Sequence, residues 1–256
     1  MNNQTEKAEL FANLHKSGDP LILFNIWDAG SARAVAEAGA KAIATGSWSV
    51  AAAQGYTDGE TLPLDFAVEN IRRIAGSVDL PVTLDFEGGY AESPDELKAN
   101  ITRVIQAGAI GINFEDQVVG GEGLYSIERQ SARIRAIREA ASDSGVPLFI
   151  NARTDIFLKT LPAAETEEQL AQALERASAY ADAGASGFFA PGLRDPEMIR
   201  RLCEGSPLSV NIFVIPGVPS NNEMAGLGVA RISYGPGPYR QMIEWLKGKA
   251  AEVFAG

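Results

Sequence analysis

Two short phrases alternate along the 256 residues, and this alternation constrains the fold more than any other feature. One is a proline followed by an apolar run: DPLILFNIWD from Asp19, DLPVTLDFEG from Asp79, GVPLFINART from Gly145 and SPLSVNIFV from Ser206. The other is an Ala-Gly turn opening a second apolar run: EAGAKAIATGS from Glu37, QAGAIGINFED from Gln106, DAGASGFFAPG from Asp182 and MAGLGVARISYG from Met224. Each run has the length of a strand, and each Ala-Gly pair reads as a helix stop, because glycine takes the left-handed conformation there without penalty. Helical periodicity falls between the runs, over residues 31–38, 64–74, 93–105, 126–141, 167–183, 196–203 and 239–254. Only the link 217–223 is too short for a full helix. Strands separated by helices pair in parallel, and eight such units imply closure into a (β/α)₈ (TIM) barrel occupying residues 1–256 as a single domain. An open doubly wound sheet is the competing arrangement, but no strand is followed by GxGxxG, which counts against its dinucleotide-binding form.

In such a barrel, chemistry sits at the C-terminal ends of the strands. Here those ends read Trp27-Asp28, Thr45-Gly46-Ser47, Asp85-Phe86-Glu87, Glu115-Asp116, Arg153-Thr154-Asp155, Ala190-Pro191, Asn211 and Tyr234. Asp85 and Glu87 are two apart, which in an extended strand places them on one face, and Gly88-Gly89 follows at once. With Glu115 on the next strand they make a concentration of negative charge that needs protons or a cation. Oxygen-only donors suit Mg²⁺, with Mn²⁺ as the alternative, and a bidentate small-molecule carboxylate. The one histidine, His15, and the one cysteine, Cys203, lie away from every strand end. His15 is expected on the solvated surface, and Cys203 in the core. Arg153 offers a planar fork for a carboxylate, and the Gly46 and Ser47 amides offer a second anion contact.

A formal net charge of -11 argues against nucleic-acid or anionic-membrane partners. One cysteine excludes an internal disulfide, and the N-terminal segment has no apolar core like that of a signal peptide, so the expected compartment is the cytoplasm.

TGSWSVAAAQGYTDGE, PVTLDFEGGY, GINFEDQ and INARTD, in that order, resemble the isocitrate lyase and phosphoenolpyruvate mutase superfamily, closest to its 2-methylisocitrate-lyase-like branch, over Leu21 to Leu246. The resemblance implies a barrel whose last helix is exchanged between subunits of a homo-oligomer, dimer or tetramer, and a Mg²⁺ site for 2-oxo acids. It implies Asp85 as the direct metal ligand, with Glu87 and Glu115 completing the metal shell. Asp58, otherwise read as a turn residue, is implied to approach the metal through water. Thr45, Gly46, Ser47, Arg153 and Asn211 are implied to hold substrate.

Two departures stand out. Glu87 replaces the family's usual aspartate, and the loop after strand four, QVVGGEGLYS from Gln117, lacks the lyases' Lys-Arg-Cys-Gly-His and the phosphonomutases' lysine and asparagine. Glu122 and Tyr125 are the titratable side chains left there for acid or base duty, and the glycines at 120, 121 and 123 suit a mobile lid. The expected function is Mg²⁺-dependent carbon–carbon cleavage or decarboxylation of small 2-oxo or 2-hydroxy acids through a pyruvate-type enolate. A phosphonate mutase or hydrolase, and a carboxylate-binding relative without turnover, are the alternatives.

Overall fold

The computed structural model describes residues 2–255. In chain order the elements are α1 (Asn2–Asn13), β1 (Leu21–Leu23), α2 (Ala29–Glu37), β2 (Ile43–Ala44), α3 (Ser47–Ala53), α4 (Leu64–Ala75), β3 (Val82–Asp85), α5 (Pro94–Gln106) and β4 (Gly111–Glu115). They continue with α6 (Ile127–Asp143), β5 (Phe149–Arg153), α7 (Glu167–Asp182), β6 (Gly187–Phe189), α8 (Pro196–Gly205), β7 (Ser209–Phe213), α9 (Asn221–Gly226), β8 (Arg231–Ser233) and α10 (Gly237–Phe254). Every predicted strand is present. All pairings are parallel, in the order β1-β8-β7-β6-β5-β4-β3-β2. A parallel bridge between Ile26 and Thr45 closes the ring.

The helix ends follow their local chemistry. Gly39, Gly108, Gly184 and Gly228 carry φ of +98°, +105°, +98° and +95°, so each Ala-Gly phrase ends a helix on a left-handed residue. In the last phrase the turning residue is Gly228, not Gly226, because the short helix α9 runs through Gly226. Asp28 does not end a strand as expected: β1 stops at Leu23, and Asp28 caps α2, its carboxylate accepting from the Ser31 N–H at 2.7 Å.

Besides the short α9, in the link expected to hold no full helix, two helices lie outside the expected set. The first, α3, begins at Ser47 directly after β2. The second, α1, plugs the N-terminal end of the barrel: Phe11 is fully buried and packs edge-on to Phe149 at 5.3 Å. His15 is not a solvated residue. Its ring stacks on Phe149 at 4.0 Å, Nδ1 meets the Phe11 carbonyl at 2.8 Å, and buried Nε2 has no partner. Cys203 packs against the core as expected, and burial pushes its thiol up to about 12.

Inside the ring, above that plug, runs a polar column. Arg231 is completely buried on β8 and donates to Asn113 Oδ1 at 3.0 Å, which also accepts from Asn151 at 2.9 Å. On the outside, α10 is the least packed element, with Pro238 its one buried residue. Trp245 is 63% exposed and Phe254 86% exposed. Its first turn is anchored, since Tyr239 packs against Trp27 at 5.0 Å and Arg240 lies 4.4 Å from the centre of the Trp48 ring. No helix among the described residues is long and apolar enough to cross a membrane.

Candidate active site

The C-terminal mouth of the barrel opens into a cavity of about 170 Å³ lined by Ser47, Asp58, Asp85, Asn113 and Arg153 together with several apolar side chains. Asp85 is its best-ordered acid. Asp85 Oδ2 accepts from the Ser47 N–H at 3.0 Å, Oδ1 faces Asn113 Nδ2 at 3.3 Å, and its own N–H donates to Thr45 Oγ1 at 2.9 Å. The Asn113 oxygen already accepts from Arg231 and Asn151, so its amide group must present N–H to Asp85. The buried column thereby fixes the Asp85 carboxylate at the mouth.

Glu87 behaves otherwise. The strand ends at Asp85 and Glu87 has φ of +50°, so the alternation expected to align the two acids is broken. The Glu87 carboxylate turns to the loop after α3, accepting from the Gly59 and Glu60 N–H groups at 2.9 and 2.8 Å and from the Tyr90 hydroxyl at 3.2 Å. Arg133 of α6 secures this turn by donating to the carbonyls of Gly88 and Ala91. Glu115 is buried against Arg153, 2.9 Å away, and Arg153 is also gripped by both oxygens of Asp155 at 2.6 and 2.9 Å. Neither Glu87 nor Glu115 lines the cavity.

Other expected groups are placed as follows. The Gly46 N–H donates to the Ile26 carbonyl in closing the ring, and the Ser47 N–H serves Asp85, so neither amide is available to a ligand. The Thr45 hydroxyl supports the Asp85 backbone. Asn211 is fully buried beneath the cavity, its Oδ1 accepting from Ser233 at 3.2 Å. Glu122 is exposed on the loop after β4, and Tyr125 is buried between Arg129 and Arg133, whose guanidinium carbons lie 4.5 and 4.3 Å from its ring centre. Neither reaches the cavity. Asp58 does.

Four carboxylates therefore lie within electrostatic reach of one another. Burial, then the charges of Asp58 and Asp85, pushes Glu87 up to about 7. Burial and the Asp85 charge raise Asp58 as well, and burial raises Glu115 despite Arg153. Among the described residues no three acidic, histidine or cysteine side chains converge into a finished metal cage. An all-oxygen set with Asp85 and Asp58 on the cavity fits Mg²⁺ all the same, because that ion is commonly held by one or two carboxylates and keeps several waters.

Sequence reasoning missed Asn113, although it stands two residues before Glu115 in GINFED and so on the same face of β4. It also missed the apolar lining, Trp48, Leu158, Phe189, Pro191 and Phe213, for which the sequence carries no signal beyond hydrophobicity.

A closed eight-stranded α/β ring whose mouth gathers carboxylates around a single lining arginine defines a (β/α)₈-barrel protein with an anionic, oxygen-donor site. Comparison with known proteins places it further. The sequence matches the family model described as Phosphoenolpyruvate phosphomutase over residues 11–254. A 2-methylisocitrate lyase of Salmonella typhimurium is 30% identical over 236 residues, covering 88% of this chain and 77% of that protein. An uncharacterized protein of Mycobacterium tuberculosis is 34% identical over 231 residues, covering 90% and 83%. A crystal structure from Burkholderia cenocepacia, of a protein provisionally named a phosphonomutase, superposes with a TM-score of 0.95 at 48% identity, covering 98% of this chain and 99% of that one. The chain belongs to the phosphoenolpyruvate phosphomutase family, within the isocitrate lyase and phosphoenolpyruvate mutase superfamily.

Proposed function

We propose that the chain is a Mg²⁺-dependent carbon–carbon lyase or decarboxylase acting on small 2-oxo or 2-hydroxy acids. The observation that carries this reading is Asp85, held by the Ser47 amide and Asn113 beside Asp58, in a cavity also lined by Arg153. Asp85 would hold the ion with Asp58 beside it, while Glu87 and Glu115 add negative charge from behind. When bound, Mg²⁺ supplies Lewis-acid stabilisation of the negative charge that develops as the bond breaks.

The chain's own groups do the rest. Arg153 orients the substrate carboxylate, and its grip by Glu115 and Asp155 keeps the guanidinium in one place. Asp58, whose affinity for a proton is raised, is the lining acid able to exchange one with the product carbon. Neither Glu122 nor Tyr125 is placed to do so.

The phosphonate alternative has in its favour the name of the Burkholderia relative. Against it, a phosphonate dianion calls for more positive charge than Arg153 supplies. The test is release of pyruvate, CO₂ and phosphate from a panel of oxo acids and phosphonates, with and without Mg²⁺. Mg²⁺-dependent pyruvate or CO₂ release that Asp85→Ala abolishes is expected. Turnover that survives both the substitution and removal of the metal refutes the assignment, and phosphate release selects the alternative.

The same reading includes a homo-oligomer and a cytoplasmic location. The exposed apolar side chains of α10, and Ile22 of β1 and Phe24 just after it at 45% and 42% exposure, support an exchange of α10 between copies.

A further inference from the structure

On the lyase branch of that reading, in which an uncharged carbonyl compound rather than CO₂ leaves the enolate, we infer that the substrate is a monocarboxylate carrying an uncharged, apolar substituent, rather than a di- or tricarboxylate. The cavity is divided. Ser47, Asp58, Asp85 and Asn113 come from the start of α3, the segment after α3, β3 and β4, whereas Leu158, Phe189, Pro191 and Phe213 come from β6, β7 and the segments after β5 and β6. One half binds a charged head; the polar groups of Asn25 and Ser233, which also line the cavity, are already bonded within the fold, Asn25 to Thr45, Tyr234 and Gly235 and Ser233 to Asn211 and Arg231, so the other half offers a ligand mainly carbon.

The strand register explains the apolar half. Residues two apart in a strand share a face, so Asn211 and Phe213 of β7 both turn inward, one layer apart. Asn211 is the deeper, fully buried, and Phe213 forms the lining above it. The polar group through which β7 could have met a second carboxylate is thus covered by an aromatic ring.

Two glycines show that this wall is built in. A Cβ on Gly235, at φ +53°, would lie 2.1 Å from Phe213 Cε2, and one on Gly192, at φ +94°, would lie 2.6 Å from the Leu158 backbone nitrogen. The chain bares its backbone at both places, and Phe213 and Leu158 occupy the space.

Charge points the same way. Arg153 is the one cation in the lining, and it already faces Glu115 and Asp155. Lys159 is exposed and Arg240 is stacked on Trp48, and neither lines the cavity. A second carboxylate would be stripped of water beside Phe213 with no partner, near Asp58 and Asp85. An alkyl group gains roughly fourfold in affinity for each methylene buried. The volume, about 170 Å³, compares with the ~150 Å³ apolar cavity that accepts benzene, which suits a short chain or one ring.

The experiment is calorimetric binding to the full chain with Mg²⁺, using oxalate, 2-oxobutyrate, 4-methyl-2-oxopentanoate, oxaloacetate and 2-oxoglutarate as probes. Oxalate reports the charged half alone. The expected result is that 4-methyl-2-oxopentanoate binds at least about tenfold tighter than 2-oxoglutarate, reflecting burial of its branched tail. Oxalate binding with 2-oxoglutarate equal or tighter overturns the inference and leaves the site reading standing. Failure of oxalate and every other probe to bind overturns both. Leu158→Lys, on the half-buried rim, should reverse the preference, and Phe213→Leu should reduce it. Wild-type ranking in both variants, each confirmed folded by circular dichroism, also overturns the inference.

Discussion

His15 should make stability depend on pH in a way that one substitution removes. Its ring lies between Phe11 and Phe149, with Nε2 unpartnered and the buried charge of Arg231 nearby. Burial first, and then Arg231, lowers its pKa from 6.5 to about 3. Between those values the unfolded chain binds a proton that the folded chain refuses, so stability rises with pH through this window and falls on acidification. At about pH 4 the linkage costs about 3 kcal/mol relative to neutral pH. Urea unfolding at about pH 7.5 and about pH 4, at matched protein concentration, measures it. His15→Gln keeps a polar partner for the Phe11 carbonyl but cannot take up the proton. The acid-induced loss should therefore be about 3 kcal/mol smaller in the variant. The carboxylates titrate in both proteins and cancel. Equal losses would show that the imidazole protonates freely in the fold, and would refute the buried placement from which the number comes.

The remaining predictions concern the mouth and α10. Arg153→Lys loses the two-pronged contact to Asp155, and should raise KM for the substrate acid at least tenfold, by an expected ~1.5–3 kcal/mol for a charged hydrogen bond, as read by initial-rate kinetics. Gly235→Ala drives a methyl into the Phe213 ring and should cost about 1–3 kcal/mol in urea unfolding, whereas Gly237→Ala, which meets nothing within 4 Å, serves as the near-neutral control. Trp245→Glu together with Phe254→Glu should shift the chain to a smaller species in light-scattering chromatography, and an unchanged mass would remove α10 from the interface.

The architecture was legible because repetition is. Four prolines and four Ala-Gly turns mark eight strand starts, and the ring contains all eight. The site was legible as a neighbourhood but not atom by atom. Asp85, Asp58 and Arg153 meet at one cavity, as the motifs imply. Glu87 was misplaced because the period-two rule holds only while the strand lasts, and the backbone turns left-handed two residues after Asp85. The Gly46 and Ser47 amides looked free because sequence does not show which carbonyl closes the ring or which carboxylate reaches across. Asn211 was assigned by strand and face, which fix direction but not depth. His15 sits among charged residues, and nothing local announces that α1 folds under the barrel and carries the ring onto Phe149.

The two ends of α10 have different company. At its first turn Tyr239 and Arg240 rest on Trp27 and on Trp48, a wall of the cavity, while its far end stands in solvent with Trp245, Val253 and Phe254 uncovered. Such a helix is a lever with its fulcrum against the wall of the cavity. Whatever covers the free end would bear, through one continuous helix, on an indole that lines the cavity.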